Sequence, residues 1–395
     1  MYLSKEQEKI LEGEQGVVME RMFRLLVRLG NIYGAEQMVP VGSVQVAGVS
    51  FKSIGEPGLE FLKDLSEKGA RVQVLTYLNP AGMDVENWME MGVPHDFAEK
   101  QIQVLNAFRE LGIVISATCT PYLAGNLPRY NQHIAWSESS AVSFANSVIG
   151  ARTNREGGPS AIAAAICGVT PDYGLHRPEN RQPHIKIHVD TELKYAADYG
   201  ALGYYVGRQV QNKIPYFTGL KNPSTDHLKA LGAAMAASGA VALYHAEDIT
   251  PEAAFANTSG LETITVEKKH LDETFDKLNT GKSVDIVILG CPHASLSEIS
   301  DLAMRLYGKH LKKPVWICTA RVNKEAATQM GYTKIIEAAG GRVVADTCCV
   351  VAPIEEMVYR TTGVNSGKAA NYLPGFCKQE VVFRNIDRLL EGLIE

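Results

Sequence analysis

Two rhythms run through the apolar and polar positions of this chain, an alternation of period two and a helical period of about 3.6, and they change places repeatedly. Ser4 and Gln7 stand at capping-box spacing ahead of a polar helical stretch over Met1–Gly13. Val44–Phe51 alternates around small residues as a strand and closes at Gly55-Glu56-Pro57, and helical periodicity follows from Gly58 to Lys68. Arg71–Leu78 (RVQVLTYL) predicts a second strand, ended by Asn79-Pro80-Ala81-Gly82. Phe97–Leu111 predicts a helix with Ile102, Leu105 and Phe108 on one buried face. Ile113–Thr118 reads as a third strand, with Cys119 directly behind it.

From Trp136 to about Gly168 small residues dominate, predicting closely packed helices interrupted at Gly157-Gly158-Pro159. Pro171–Pro183 reads as a loop, Ile185–Val189 as a strand, Leu228–Ser238 as an alanine-rich helix and Val241–His245 as the strand after it. The last third is the clearest. Val284–Leu289, Pro314–Cys318 and Arg342–Ala345 are short apolar strands, with helical segments Leu296–Tyr307 and Glu325–Ala338 between them. Strands separated by helices of this length indicate βαβ units and parallel sheets, hence an α/β fold. A polar, charged stretch over Glu262–Asn279 suggests a boundary. We expect an N-terminal α/β region, 1–275, of two intertwined subdomains, and a C-terminal α/β domain, 276–395, carrying Cys291 and Cys348.

Composition narrows the function. With 46% hydrophobic and 21% charged residues in 395, the chain is ordinary globular material for two to three domains. A net charge of -5 gives no basic stripe for neutralising nucleic-acid phosphates. The N-terminus has no apolar signal-peptide core, and no run of about 18 apolar residues predicts a membrane span. The expected location is cytoplasmic. Seven cysteines, an odd number, argue against a disulfide framework and turn attention to metal binding or catalysis.

Cys119, Cys291 and the pair Cys348-Cys349 each follow a predicted strand, where an α/β sheet places its chemistry. Three thiolates converging there could hold three irons of a cubane cluster and leave a fourth open as a Lewis acid. The residues alone equally allow a zinc site, an isolated nucleophile or plain burial. Cys167, Cys318 and Cys377 read as buried small hydrophobes.

A set of phrases resembles the aconitase X family over essentially the whole chain. They are ATCTPY at Ala117–Tyr122, AWSESSAVSFANSVIGARTNREGG at Ala135–Gly158, LGCPHAS at Leu289–Ser295, ADTC at Ala345–Cys348 and NSGKAANY at Asn365–Tyr372. The resemblance implies an aconitase-like multi-domain arrangement of mainly parallel sheets flanked by helices, and a hydro-lyase acting on a small hydroxy-acid. It carries an iron–sulfur cluster, [4Fe-4S], onto Cys119, Cys291 and Cys348, with Cys349 the alternative third ligand. Ordinary aconitases use a CxxC motif; Cys348-Cys349 stands here instead, so citrate or isopropylmalate chemistry is not expected.

By the same resemblance Gly55, Glu56, Pro57, Asn79 and Pro80 line the substrate pocket. Glu138 and Ser139 position substrate or relay a proton, although Glu138 could equally serve a helix N-terminus. Asn126, Asn146, Arg152 and Arg155 reach anionic oxygens or make structural pairs. Lys368 in NSGK suits a carboxylate or phosphate without being a Walker A lysine. His293 orients a leaving hydroxyl or makes a structural hydrogen bond. The superfamily's swivelling domain, with its catalytic serine, finds no room before Glu395, so a small partner subunit is expected. Family members dehydrate mevalonate 5-phosphate or cis-3-hydroxy-L-proline, and the split arrangement favours the first. The competing readings are a non-catalytic cluster protein and a zinc enzyme.

Overall fold

The computed structural model describes residues 1–395. Three parallel sheets organise it. The first sets Leu75–Leu78, Ser43–Val46 and Ala135–Trp136 side by side. The second orders His245–Ala246, Pro215–Thr218, Ile185–Asp190 and Thr263–Glu267. The third, five-stranded, runs Gly341–Ala345, Val315–Thr319, Ile286–Ala294, Thr361–Val364 and Glu380–Phe383. An antiparallel pair, Met38–Pro40 with Val169–Pro171, stands apart. Strands covered by helices on both faces should be continuously apolar, and Val315–Thr319 (VWICT) is buried at every position.

Helix starts follow local chemistry. Ser4 and Gln7 form the expected capping box before helix Lys5–Leu11, and Ser295 with Glu298 caps Leu296–Leu306 in the same way. One core, around Leu26, Leu62 and Phe108, belongs to the N-terminal part. A larger one joins the second and third sheets through Phe217, Tyr244, Ile286 and Phe383, and it includes Cys291 and Cys348. Helices Ala196–Val210 and Thr225–Gly239 pack at close range inside it. A Cβ on Gly203 would meet the Leu231 carbonyl oxygen at 2.4 Å, so that contact needs glycine. No helix is long and apolar enough to cross a membrane.

Several expectations are corrected. Ile113–Thr118 is extended but not a regular strand: Val114 alone bridges to Tyr77, and Ala117, at φ 41°, turns the chain away before Cys119. Gly55-Glu56-Pro57 is no loop, because the helical run already begins at Phe51 and reaches Glu67, kinking at Gly55 (φ 57°). Ile102 is 39% exposed; Gln101, Leu105 and Phe108 carry the buried face of His95–Glu110. Val241–His245 reduces to His245–Ala246. Gly331 (φ 80°) divides Glu325–Ala338 between helices Arg321–Gln329 and Tyr332–Ala338. The polar stretch over Glu262–Asn279 is an edge strand, Thr263–Glu267, followed by helix Lys268–Leu278.

A buried ionic junction joins the N-terminal part to the third sheet. Asp84 accepts from Arg321 at 2.9 Å, Lys324 at 3.2 Å and the Ala345 N–H at 3.1 Å. Arg321 also pairs with Asp346, whose carbonyl accepts from Ala81 N–H at 2.8 Å. Burial opposes ionisation of Asp84, but Lys324, the Ala345 amide and Arg321 together hold its carboxyl below the usual range. Asp84→Ala should therefore cost about 3–5 kcal/mol, since it strands Lys324 without its one carboxylate and takes one of three from Arg321. Equilibrium unfolding in urea checks this, and an unchanged midpoint would show the junction to be dispensable.

Candidate active site

Loops from the first and third sheets meet at one cavity of ≈610 Å³, lined by Asn79, Cys119, Glu138, Cys291, Cys348 and Lys368 among others. Each side chain arrives by a local device. Asn79 and Pro80 follow strand Leu75–Leu78. Glu138 follows Ala135–Trp136 and caps helix Ser139–Phe144, accepting from Ser140 N–H at 3.3 Å. Cys291 sits where strand Ile286–Ala294 shifts register after Gly290 (φ 85°), so its side chain leaves the ladder. Asp346, at φ 64°, turns the chain out of Gly341–Ala345 toward Cys348. Lys368 lies in the first turn of helix Gly367–Cys377, behind the cap Ser366.

His293 ties the three cysteine loops together. Its backbone N–H donates to Cys119 Sγ at 3.1 Å. Its ring lies 3.0 Å from Thr118 Oγ1 through Nδ1 and 2.9 Å from the Thr347 carbonyl through Nε2. A carbonyl only accepts, so Nε2 carries the proton and Nδ1 accepts from Thr118. Burial holds the imidazole down at about 4, and it is neutral at physiological pH. Both ring nitrogens of His293 are thus engaged in hydrogen bonds within the protein. Lys229, paired with Asp226 at 2.8 Å and with Glu298, donates to the His293 carbonyl at 3.2 Å and braces the same loop.

The cavity's charge is organised by one buried pair, Lys368 with Glu138. Asn79 Nδ2 donates to Glu138 at 2.7 Å, and Lys368 Nζ also reaches Ser140 Oγ at 3.2 Å. Burial disfavours the Glu138 carboxylate, but the Lys368 ammonium and the hydrogen bonds outweigh it and pull the pKa down to about 2. Because that lies below the ordinary 4.5, the pair stabilises the fold fully above pH 4.5 and loses its contribution as the pH falls toward 2. Between those limits the wild type should lose more unfolding free energy than Glu138→Gln. Parallel acid profiles for the two would contradict this.

The thiols suit a soft metal group. Burial pushes Cys119 up to about 12 and Cys348 well above its ordinary value, while a hydrogen bond from Cys349 lowers Cys291. Cys119 and Cys348 are thus thiols whose protons a soft cation would displace on binding. Three thiols on the wall of one cavity are a soft donor set that fits an iron–sulfur centre. Cys348 lines the cavity, whereas Cys349 turns to Cys291 from outside it and offers its carbonyl to Cys377 Sγ at 3.4 Å. Asn79 Oδ1 and Ser137 Oγ, both from residues in the cavity wall, are buried without partners.

Other expected residues lie elsewhere. Asn79, Pro80, Ser139 and Arg155 line the cavity; Gly55, Glu56, Pro57, Asn126 and Arg152 do not. The helical run over Phe51–Glu67 removes Gly55 and Pro57 from the strand end, and Glu56 pairs with Lys100 at 2.6 Å. Arg152 is used up by Asn131 and the His176 carbonyl, both at 2.9 Å. Asn126 is held by its backbone on Pro121, and Asn146 braces Thr153, Ala242 and Arg181. Lys52 and Ser137 line the cavity without having been foreseen. Ser137 directly follows strand Ala135–Trp136, whereas Lys52 stands in the first turn of helix Phe51–Glu67.

Models of the first, second and third domains of aconitase X match residues 1–179, 183–276 and 284–395. The phosphomevalonate dehydratase large subunit of Methanocaldococcus jannaschii is 53% identical over 99% of this chain and 100% of its own length. The cis-3-hydroxy-L-proline dehydratase of Pseudomonas aeruginosa is 33% identical over 98% of this chain and 69% of that protein. Among solved structures, holo-form aconitase X from Thermococcus kodakaraensis superposes with a TM-score of 0.94 at 48% identity, covering 100% of both chains.

Proposed function

The chain belongs to the aconitase X family, and on that footing we propose that it is the large subunit of a hydro-lyase converting mevalonate 5-phosphate to trans-anhydromevalonate 5-phosphate in isoprenoid synthesis. What carries the substrate is the 53% identity, over full length, with a relative named for that reaction, against 33% for the hydroxyproline enzyme. The relative's designation as a large subunit supports a small partner subunit here, which we take to supply the swivelling domain and a serine base. The cavity walls come from the N-terminal region, through Asn79, Cys119 and Glu138, and from the C-terminal domain, through Cys291, Cys348 and Lys368. Seven free cysteines suit a reducing, cytoplasmic setting.

A [4Fe-4S] cluster on Cys119, Cys291 and Cys348 would supply Lewis acidity toward the departing hydroxyl and the adjacent carboxylate. The rest falls to the chain's own groups. Lys368 has three hydrogens, of which Glu138 and Ser140 take two; the third holds the substrate carboxylate. Asn79 donates to Glu138 through Nδ2 and keeps Oδ1 to accept from the substrate hydroxyl. Glu138, held near 2, is too weak a base to take a proton from carbon. It keeps Lys368 charged and in place, and the C2 proton goes to the serine of the small subunit. Ser139, 3.3 Å from Glu138 Oε1, completes the wall on that side.

The test is an anaerobic assay of the assembled two-subunit enzyme on both substrates. Mevalonate 5-phosphate should exceed cis-3-hydroxy-L-proline by roughly a hundredfold in kcat/KM, because a site built for an anionic tail leaves charges unpaired without one. The opposite preference would overturn the assignment.

A further inference from the structure

Beside the cysteine cavity lies a second lobe of ≈560 Å³, walled by Gly48, Phe108, Glu156, Gly157 and Gly158. Ala47, Ser137 and Arg155 belong to both walls, so the two spaces adjoin. Three cations border them, and two are already neutralised: Lys52 by Glu355 at 2.7 Å, and Lys368 by Glu138. Arg155 is exposed and pairs with no carboxylate. Its backbone is nonetheless fixed, bridging in parallel to Trp136, with the Glu156 N–H on the Trp136 carbonyl at 3.0 Å. The free guanidinium thus springs from a rigid point next to Ser137.

Ser137 is 5% exposed, and its hydroxyl has no hydrogen-bond partner. A buried hydroxyl left unmet is destabilising, and a ligand that meets it recovers that loss on binding. The third element is the ten-residue helix Gly158–Cys167. Its cap, Gly157, has no side chain to offer, and the first backbone bond of the helix is made by Ala161 to Gly157 at 2.9 Å. The amide of Gly158, which lines the lobe, makes no bond within the helix and stands at the positive end of the helix dipole. Glu156 also borders the lobe, but its carboxyl is engaged by Ser160 Oγ at 2.6 Å and Thr170 Oγ1 at 3.2 Å.

We infer that this lobe is the subsite for the phosphate monoester end of the substrate, held by the Arg155 guanidinium, the Ser137 hydroxyl and the first turn of helix Gly158–Cys167. The carboxylate-and-hydroxyl end then lies in the neighbouring lobe against Lys368 and the cysteines. The inference rests on mevalonate 5-phosphate being the substrate. It assigns the tail-binding task to a planar, bidentate cation, and Lys368 keeps the reacting end.

The experiment is steady-state kinetics of the cluster-loaded two-subunit enzyme, with inorganic phosphate as a competing probe. Arg155→Met should raise KM for mevalonate 5-phosphate about 10–100-fold, the value of one charged hydrogen-bonding group, with the larger part of the effect in KM. Arg155→Lys should recover part of it, and inhibition by inorganic phosphate should weaken in step. Ser137→Ala should leave the ligand-free thermal midpoint unchanged or raised, since an unmet hydroxyl is removed, while KM still climbs. A purely structural serine would lower the midpoint. If the wild-type enzyme dehydrates mevalonate 5-phosphate and Arg155→Met keeps its KM within about twofold, the subsite is overturned alone. If the wild type does not accept that substrate at all, the functional assignment fails and takes the subsite with it.

Discussion

Cys119→Ser, Cys291→Ser and Cys348→Ser should each lower kcat/KM by roughly 10³-fold or more, the scale of a lost Lewis acid. Each should also remove most of the visible charge-transfer absorption of the reconstituted protein. All three thiols line one cavity, and serine oxygen is a poor ligand for iron beside sulfide. Cys167→Ser should change neither property, because that residue packs beside the N-terminal core, away from the cavity. Cys349→Ser is the sharper comparison. Its side chain touches Cys291 without lining the cavity, so the cluster should persist with altered stability. If Cys349→Ser abolished the absorption and Cys348→Ser spared it, the third ligand would have to be reassigned.

Lys368→Met should depress kcat/KM by about 10²–10⁴-fold, because the group that orients the substrate carboxylate is gone. It also leaves Glu138 as a buried anion without its cation, a change that costs about 3–5 kcal/mol in comparable buried pairs. These two effects separate cleanly. In the double variant Lys368→Met/Glu138→Gln the stranded charge disappears, so stability should recover while activity stays low. Recovery of activity together with stability would reduce Lys368 to a structural residue. Denaturation midpoints measured beside initial rates for the wild type and the two variants decide it.

What could be read in the chain beforehand follows from how local each signal is. Three of the five strands of the third sheet were visible because Val284–Leu289, Pro314–Cys318 and Arg342–Ala345 are short, apolar and flanked by clear helices. Strands such as Thr361–Val364 (TTGV) and Thr263–Glu267 (TITVE) were not. They take their identity from neighbours in the sheet, and their threonines and glutamate mask the alternation. Helix Ala196–Val210 escaped for a related reason. Its glycines weaken the helical signal, yet the close approach to Thr225–Gly239 requires them.

The site shows the same division. Cys119, Cys291, Cys348 and Asn79 were marked by following predicted strands, Glu138 by the long family phrase at Ala135–Gly158 and Lys368 by the NSGK phrase. Gly55-Glu56-Pro57 looked like a turn from composition, but the helix starting at Phe51 absorbs the proline near its first turns and the glycine as a kink. Arg152 and Arg155 are three residues apart and equivalent in sequence. Only the fold shows that one is consumed by Asn131 and His176 while the other is left free beside Ser137. Partner availability is a property of three-dimensional packing, and no local pattern encodes it.

The most direct measurement is the iron and acid-labile sulfide content of the chain after anaerobic reconstitution, taken beside its visible spectrum. Three thiolates around one open-sited cubane predict about four irons and four sulfides per chain, with broad charge-transfer absorption that changes when mevalonate 5-phosphate is added. Stoichiometric zinc without visible absorption, or a colourless chain that binds neither iron nor sulfide, would contradict it.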